Sequence, residues 1–115
     1  MSEKRSLTTR ETFALAVENH QKNNLQAAEN FYKETLKANP NHVDAHNNLG
    51  IVFKELGEFQ KAVDCYQKVI QIQSDDAYAY YNLGLVFKEL GEFQKAVDCF
   101  QKVIQIQPDR VEDAH

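Results

Sequence analysis

Ala79, Leu83, Val86, Phe87 and Leu90 recur at spacings of three and four, separated by charged and amide residues. That rhythm places the apolar side chains on one flank of a helix. Phe93, Ala96, Val97, Phe100, Val103 and Ile104 follow with the same rhythm and predict a second helix. Gly91, between them, suits the left-handed backbone conformation that ends a helix. Glu92 places a carboxylate at the start of the next helix, where the dipole favours it. Pro108 cannot continue a helix, so it closes the unit. The pattern predicts a helical hairpin with a tight turn.

The same grammar occurs twice more. Residues 54–73 read KELGEFQKAVDCYQKVIQIQ, and residues 88–107 repeat them with Phe100 in place of Tyr66, an offset of 34. A fixed period of that size marks a stacked repeat. In the middle copy Leu49, Val52, Phe53 and Leu56 form the first stripe, and Phe59, Ala62, Val63, Tyr66, Val69 and Ile70 form the second, with Gly57 at the turn. Ser74-Asp75-Asp76 stands where a proline is expected and can cap the next helix. The first copy is more diverged. Phe13, Leu15, Ala16 and Val17 make its first stripe, and Leu25, Ala28, Tyr32 and Leu36 its second. Asn23-Asn24 replaces the turn glycine, since Asn tolerates the left-handed conformation, and Pro40 ends the unit. The pattern predicts helices over 10–22, 25–38, 43–56, 59–72, 77–90 and 93–106.

Small residues recur in register: Ala28, Ala62 and Ala96 at one place, and Ala16, Gly50 and Gly84 at another. They let the two helices of a hairpin approach closely while Tyr32, Tyr66 and Phe100 fill the space beside them. These residues carry a family likeness. The chain resembles the tetratricopeptide repeat over about residues 9–110. Leu49-Gly50, Phe53, Gly57, Ala62 and Tyr66 fit its pattern, as do Leu83-Gly84, Phe87, Gly91, Ala96, Phe100 and Pro108. The aromatic usual at the family's fourth position is Thr12, His46 and Tyr80 here. His46-Asn47-Asn48-Leu49-Gly50 is similar to the repeats attached to O-linked N-acetylglucosamine transferases and their bacterial relatives.

The resemblance implies an all-α fold, an α-α superhelix (a solenoid) of three hairpins. Their expected bounds are 9–42, 43–76 and 77–110, after a flexible start at 1–8 and before the opening of a fourth unit at 111–115. It also implies a concave face lined by the first helix of each hairpin and suited to an extended peptide. In this chain Asn47, Asn48, Ile51, Lys54, Tyr78, Tyr81, Asn82, Leu85 and Lys88 occupy that face. In the resembled transferases a ladder of asparagines holds the peptide backbone, which points to Asn48 and Asn82. The other reading of these amides is that they bridge neighbouring helices or face water. Some family members clamp a C-terminal carboxylate with cationic and amide residues. The matching positions here are Phe13, Val17, Asn48, Tyr78 and Asn82, which lack the cations.

Composition narrows the function classes. Seventeen acidic and thirteen basic residues are spread along the chain, a net charge of −4 with no concentrated basic face for nucleic acid. No apolar run reaches the length that spans a bilayer, and the polar first residues are no secretory signal. Cys65 and Cys99 are copies of one position and read as two reduced thiols of a cytoplasmic protein. His42 and His46 have a zinc-compatible spacing, with Asp44 as the only nearby third ligand, so no metal site is assigned. No phosphate loop, nucleophile-base pair or cofactor motif is present, so no catalytic residue is assigned either.

The expected role is a protein-interaction scaffold. The alternatives are a substrate-presenting segment of a glycosyltransferase whose catalytic domain lies elsewhere, and a self-assembling module. The third hairpin, with Phe93, Val97, Phe100, Val103 and Ile104, is expected to keep an uncovered side, because Val111 only begins the next unit. A longer array or a second chain would cover it, the latter most simply as a symmetric homodimer.

Overall fold

The computed structural model describes residues 6–107. Pro108 and the expected fourth unit at 111–115 lie outside the described residues, as do residues 1–5. Six helices run in order: α1 (Thr9–Gln21), α2 (Leu25–Ala38), α3 (Val43–Glu55), α4 (Phe59–Ile72), α5 (Ala77–Glu89) and α6 (Phe93–Ile106). Each lies within one residue of its expected bounds, and no strand occurs among the described residues.

The three turns share one geometry. Asn23, Gly57 and Gly91 all take positive φ, at 62°, 77° and 76°. The N–H after each turn residue reaches back to a helix carbonyl: Asn24 to Asn19 at 2.8 Å, Glu58 to Phe53 at 2.8 Å and Glu92 to Phe87 at 2.9 Å. These are Schellman closures, which satisfy carbonyls orphaned at the helix end. The starts of the first helices differ in chemistry. Thr8 and Glu11 form a reciprocal capping box ahead of α1. His42 Nδ1 accepts the Ala45 N–H at 3.1 Å ahead of α3, and Asp76 accepts the Ala79 N–H at 2.9 Å ahead of α5. The Asp76 cap is why the break survives at Ser74-Asp75-Asp76 without proline.

Within a hairpin, the small residues set how near the helices come. A Cβ built on Gly50 would lie 2.6 Å from the Tyr66 ring, and one on Gly84 would lie 2.6 Å from Phe100. The rings therefore sit directly on glycine backbone. In the first hairpin Ala16 takes this place, fully buried with Tyr32 and Ala28. The core runs through the stack from these contacts, joined by Leu49, Val52, Phe53, Val63, Leu83, Val86 and Phe87.

Each helix packs on its neighbours in sequence, and α3 also touches α5. That last contact puts the first helices of successive hairpins on one side of the stack. α4 lies between α3 and α5, whereas α6 packs chiefly on α5 among the described residues. The consequence is plain in exposure. Val63 is 2% exposed and its copy Val97 is 44% exposed, while Phe93 and Ile104 reach 64% and 48%. The expected uncovered side of the third hairpin is the outer face of α6.

Candidate functional site: the face of the first helices

Gly84 fixes which side of α5 meets α6, because only that side approaches Phe100. Tyr78, Tyr81, Leu85 and Lys88, spaced at i, i+3, i+7 and i+10, form an adjoining stripe. The repeat carries Asp44, Asn47, Ile51 and Lys54 to the same stripe on α3, and Arg10, Phe13, Val17 and His20 on α1. Seven of the nine expected groove positions fall on this stripe, and Asn48 and Asn82 fall beside it.

Their side chains are not equally available. Tyr78 and Tyr81 are 53% and 48% exposed, the largest half-open side chains on this face. Tyr81 leans against Phe100, with ring centres 6.0 Å apart. Between the two tyrosines and α6 lies a pocket of about 380 Å³, lined by Ala77, Tyr78, Tyr81, Val103 and Gln107. Its walls are apolar apart from the phenol hydroxyls and the Gln107 amide. Ile51 and Leu85 are partly buried, Lys54 is partly buried and Lys88 is exposed. Tyr80 is partly buried.

The asparagines sit deeper. Asn47 and Asn82 are buried, and Asn47 Oδ1 and Asn82 Nδ2 have no hydrogen-bond partner among the described residues. The Tyr66 hydroxyl is in the same condition. Buried polar atoms of this kind usually find a partner. Asn48 is more open and lies near the Tyr32 hydroxyl. Burial raises the Tyr32 phenol above its ordinary range; the Asn48 amide opposes the rise and the nearby Glu55 carboxylate adds to it.

One polar cluster joins two hairpins in a way that spacing did not reveal. His20 Nε2 lies 2.6 Å from Glu55 Oε1, and Nδ1 lies 3.4 Å from the Tyr32 hydroxyl. With Nε2–H donating to the carboxylate, Nδ1 is left to accept from the phenol. Glu55 is thereby tied to the first hairpin. Phe13 is also engaged, stacked on the His42 ring at 4.6 Å. His42 is committed to this stack and to its helix cap, and His46 Nε2–H donates to the Pro40 carbonyl at 2.8 Å. Both rings are therefore held at the start of α3. Among the described residues no group of three metal-ligating side chains converges.

Cys65 and Cys99 are buried free thiols. Burial, helped by Asp64, pushes the Cys65 thiol up to about 12, and burial with Asp98 raises Cys99 as well. Neither has the low thiol pKa of a nucleophile. No helix among the described residues is long and apolar enough to cross a membrane.

Four family models match the chain. Those described as tetratricopeptide repeat cover residues 13–42, 31–64 and 77–110, and one described as TPR repeat covers residues 52–91. No curated protein sequence matches. Among solved structures, the crystal structure of MamA superposes with a TM-score of 0.86 at 27% identity, over 91% of this chain and 61% of that one. A second MamA structure gives 0.84 at 27% identity, over 91% and 57%. The chain thus spans less than two thirds of either MamA chain. The Arabidopsis OM64 TPR domain gives 0.82 at 24% identity, over 87% and 83%, a likeness of fold.

Proposed function

Because the chain belongs to the tetratricopeptide repeat family, we propose that it is a protein-interaction scaffold whose first-helix face holds an extended peptide. The observation that carries this reading is the pair of half-exposed tyrosines, Tyr78 and Tyr81, bordering the pocket against Val103 and Gln107. Tyrosine offers a rigid apolar ring with a polar tip, and it is enriched where proteins meet partners. An apolar or aromatic peptide side chain would enter that pocket. Ile51 and Leu85 would carry the neighbouring residues. Lys54 and Lys88 would favour an acidic residue beside them.

Asn47, Asn48 and Asn82 are the proposed contacts to the peptide backbone. Asn48, the more open of the three amides, supports this role best. The family's usual role is scaffolding rather than chemistry, and no residue here is assigned a catalytic one.

Panning a random peptide display library on the immobilised full chain tests the proposal. Selected peptides should lose at least tenfold in affinity for Tyr78→Ala/Tyr81→Ala, and a smaller factor for Asn82→Ala. Selected peptides that bind the tyrosine double variant unchanged would remove this face as the site.

A further inference from the structure

His20 ties three helices together at the junction of the first two hairpins. From α2 it meets the Tyr32 hydroxyl at Nδ1, and from α3 the Glu55 carboxylate at Nε2. Asn48, also on α3, lies near the same hydroxyl. Of the charges close by in sequence, Lys22 on α1 is paired with Glu18, and Lys54 precedes Glu55 on α3. The His20 side chain keeps 19% of its surface exposed, so protons reach it. Tyr32 is fully buried. The next junction is built differently. There the repeat puts Lys54, Tyr66 and Asn82 in the places of His20, Tyr32 and Asn48. A lysine ammonium accepts no hydrogen bond, so only the first junction holds an acceptor that a proton can remove.

The phenol has one proton to give. While His20 is neutral, Nδ1 takes it. The phenol oxygen then accepts from the Asn48 amide N–H, and Asn48 Oδ1 is left for a peptide N–H. Once His20 is protonated, both ring nitrogens donate. Nδ1–H now gives its proton to the phenol oxygen, and the phenol O–H turns to Asn48 Oδ1. The amide has to turn over to receive it. Glu55 anchors the ring in both states, because Nε2–H donates to the carboxylate throughout.

We infer that His20, Tyr32 and Asn48 form a proton-controlled relay, in which a proton on His20 withdraws the Asn48 amide oxygen from the peptide-binding face. The relay's effect on a partner rests on the proposed function, since Asn48 matters only to a peptide lying on the first-helix face. The scaffold holds its peptide at neutral pH and loosens it as pH falls.

Two measurements keep the relay and the groove apart. Nuclear magnetic resonance of the full chain without peptide follows the His20 Cε1 proton and the Asn48 amide protons from about pH 8 to about pH 5.5, either side of the imidazole range. The Asn48 signals should move with the His20 midpoint. They should stop doing so in Tyr32→Phe, which keeps the ring and loses the hydroxyl. Fluorescence anisotropy then reads the affinity of a histidine-free peptide selected on the chain by display. Affinity should fall about fivefold across the same range, the worth of one hydrogen bond. His20→Gln and Tyr32→Phe should flatten that fall, with helicity by circular dichroism unchanged, whereas His46→Gln should preserve it. Asn48 signals that ignore His20 overturn the relay whether or not any peptide binds. Affinity that ignores pH, for peptides sensitive to Tyr78→Ala/Tyr81→Ala, overturns its control of the groove. Signals that follow His20 while the peptides ignore that double variant support the relay and count against the groove alone.

Discussion

Helices α4 and α6 differ at one position of fourteen, yet they live in different surroundings. α4 is held on two sides, and Val63, Tyr66 and Val69 are buried. α6 is held on one, and its Val97 and Ile104 are half exposed. The same letters thus fold into the same helix but draw different stabilisation. In a stack, burial is a property of the neighbour as much as of the residue.

Truncation at the shared aromatic position should separate the two hairpins most. Tyr66→Ala should cost roughly 3–5 kcal/mol, the range for deleting a buried ring. Phe100→Ala should cost clearly less, because its site is already partly open. Urea unfolding of the full chain measures both. Equal losses would mean that α6 is as enclosed as α4.

The glycines probe the same contrast from the other side. Gly50→Ala forces a methyl into the Tyr66 ring, an overpacking cost of about 1–3 kcal/mol. Gly84→Ala makes the equivalent clash with Phe100, but that ring can shift toward the open side, so the loss should be smaller. Thermal unfolding of both variants decides it, and the order Gly84 above Gly50 would contradict the picture.

The thiols report local opening. Cys65 and Cys99 are similarly buried, at 8% and 7%. Slow alkylation is expected for both, with Cys99 modified several-fold faster, because α6 opens without displacing a second neighbour. Mass spectrometry of iodoacetamide-treated protein resolves the two peptides. Equal rates would indicate that the two helices open together.

The weakest effect concerns His46, whose place in the last repeat is taken by Tyr80. Burial lowers the His46 imidazole below its ordinary value, against the raising effect of the Pro40 carbonyl, with Lys68 and His42 lowering it further. The unfolded chain binds this proton near pH 6.5, and the folded chain only at lower pH. The resulting contribution is present above the unfolded value and is lost as pH falls through the folded one. His46→Tyr, which copies the last repeat, should flatten that part of the stability profile below pH 6.5. An unchanged slope would assign the acid sensitivity elsewhere.

The period of 34 made the hairpins legible, because spacing, turn and small residue all recur in register. Even the substituted turn could be read, since Asn23 is one of the few residues at ease with positive φ. Legibility failed where the repeat is broken. His20 binds Glu55 across 35 residues, and its own repeat mates are Lys54 and Lys88, so no periodic signal marks the pair. The pocket was also hidden. Val103 lies on a second helix and Gln107 just past its end, so a stripe on α5 alone does not mark them. The amide burial at Asn47 and Asn82 depends on how closely hairpins nest, which a stripe on one helix does not state.

In α1, Glu11, Glu18 and Lys22 hold the places that Ala45, Val52 and Leu56 take in α3. This charged seam and the oily face of α6 give the molecule an arrow. Genetic lengthening should be easy in one direction only. Another copy of the repeat spliced in behind α6 meets a surface already shaped for it. The same copy placed ahead of α1 demands that Glu11, Glu18 and Lys22 be rewritten first. Growth of such an array is polar.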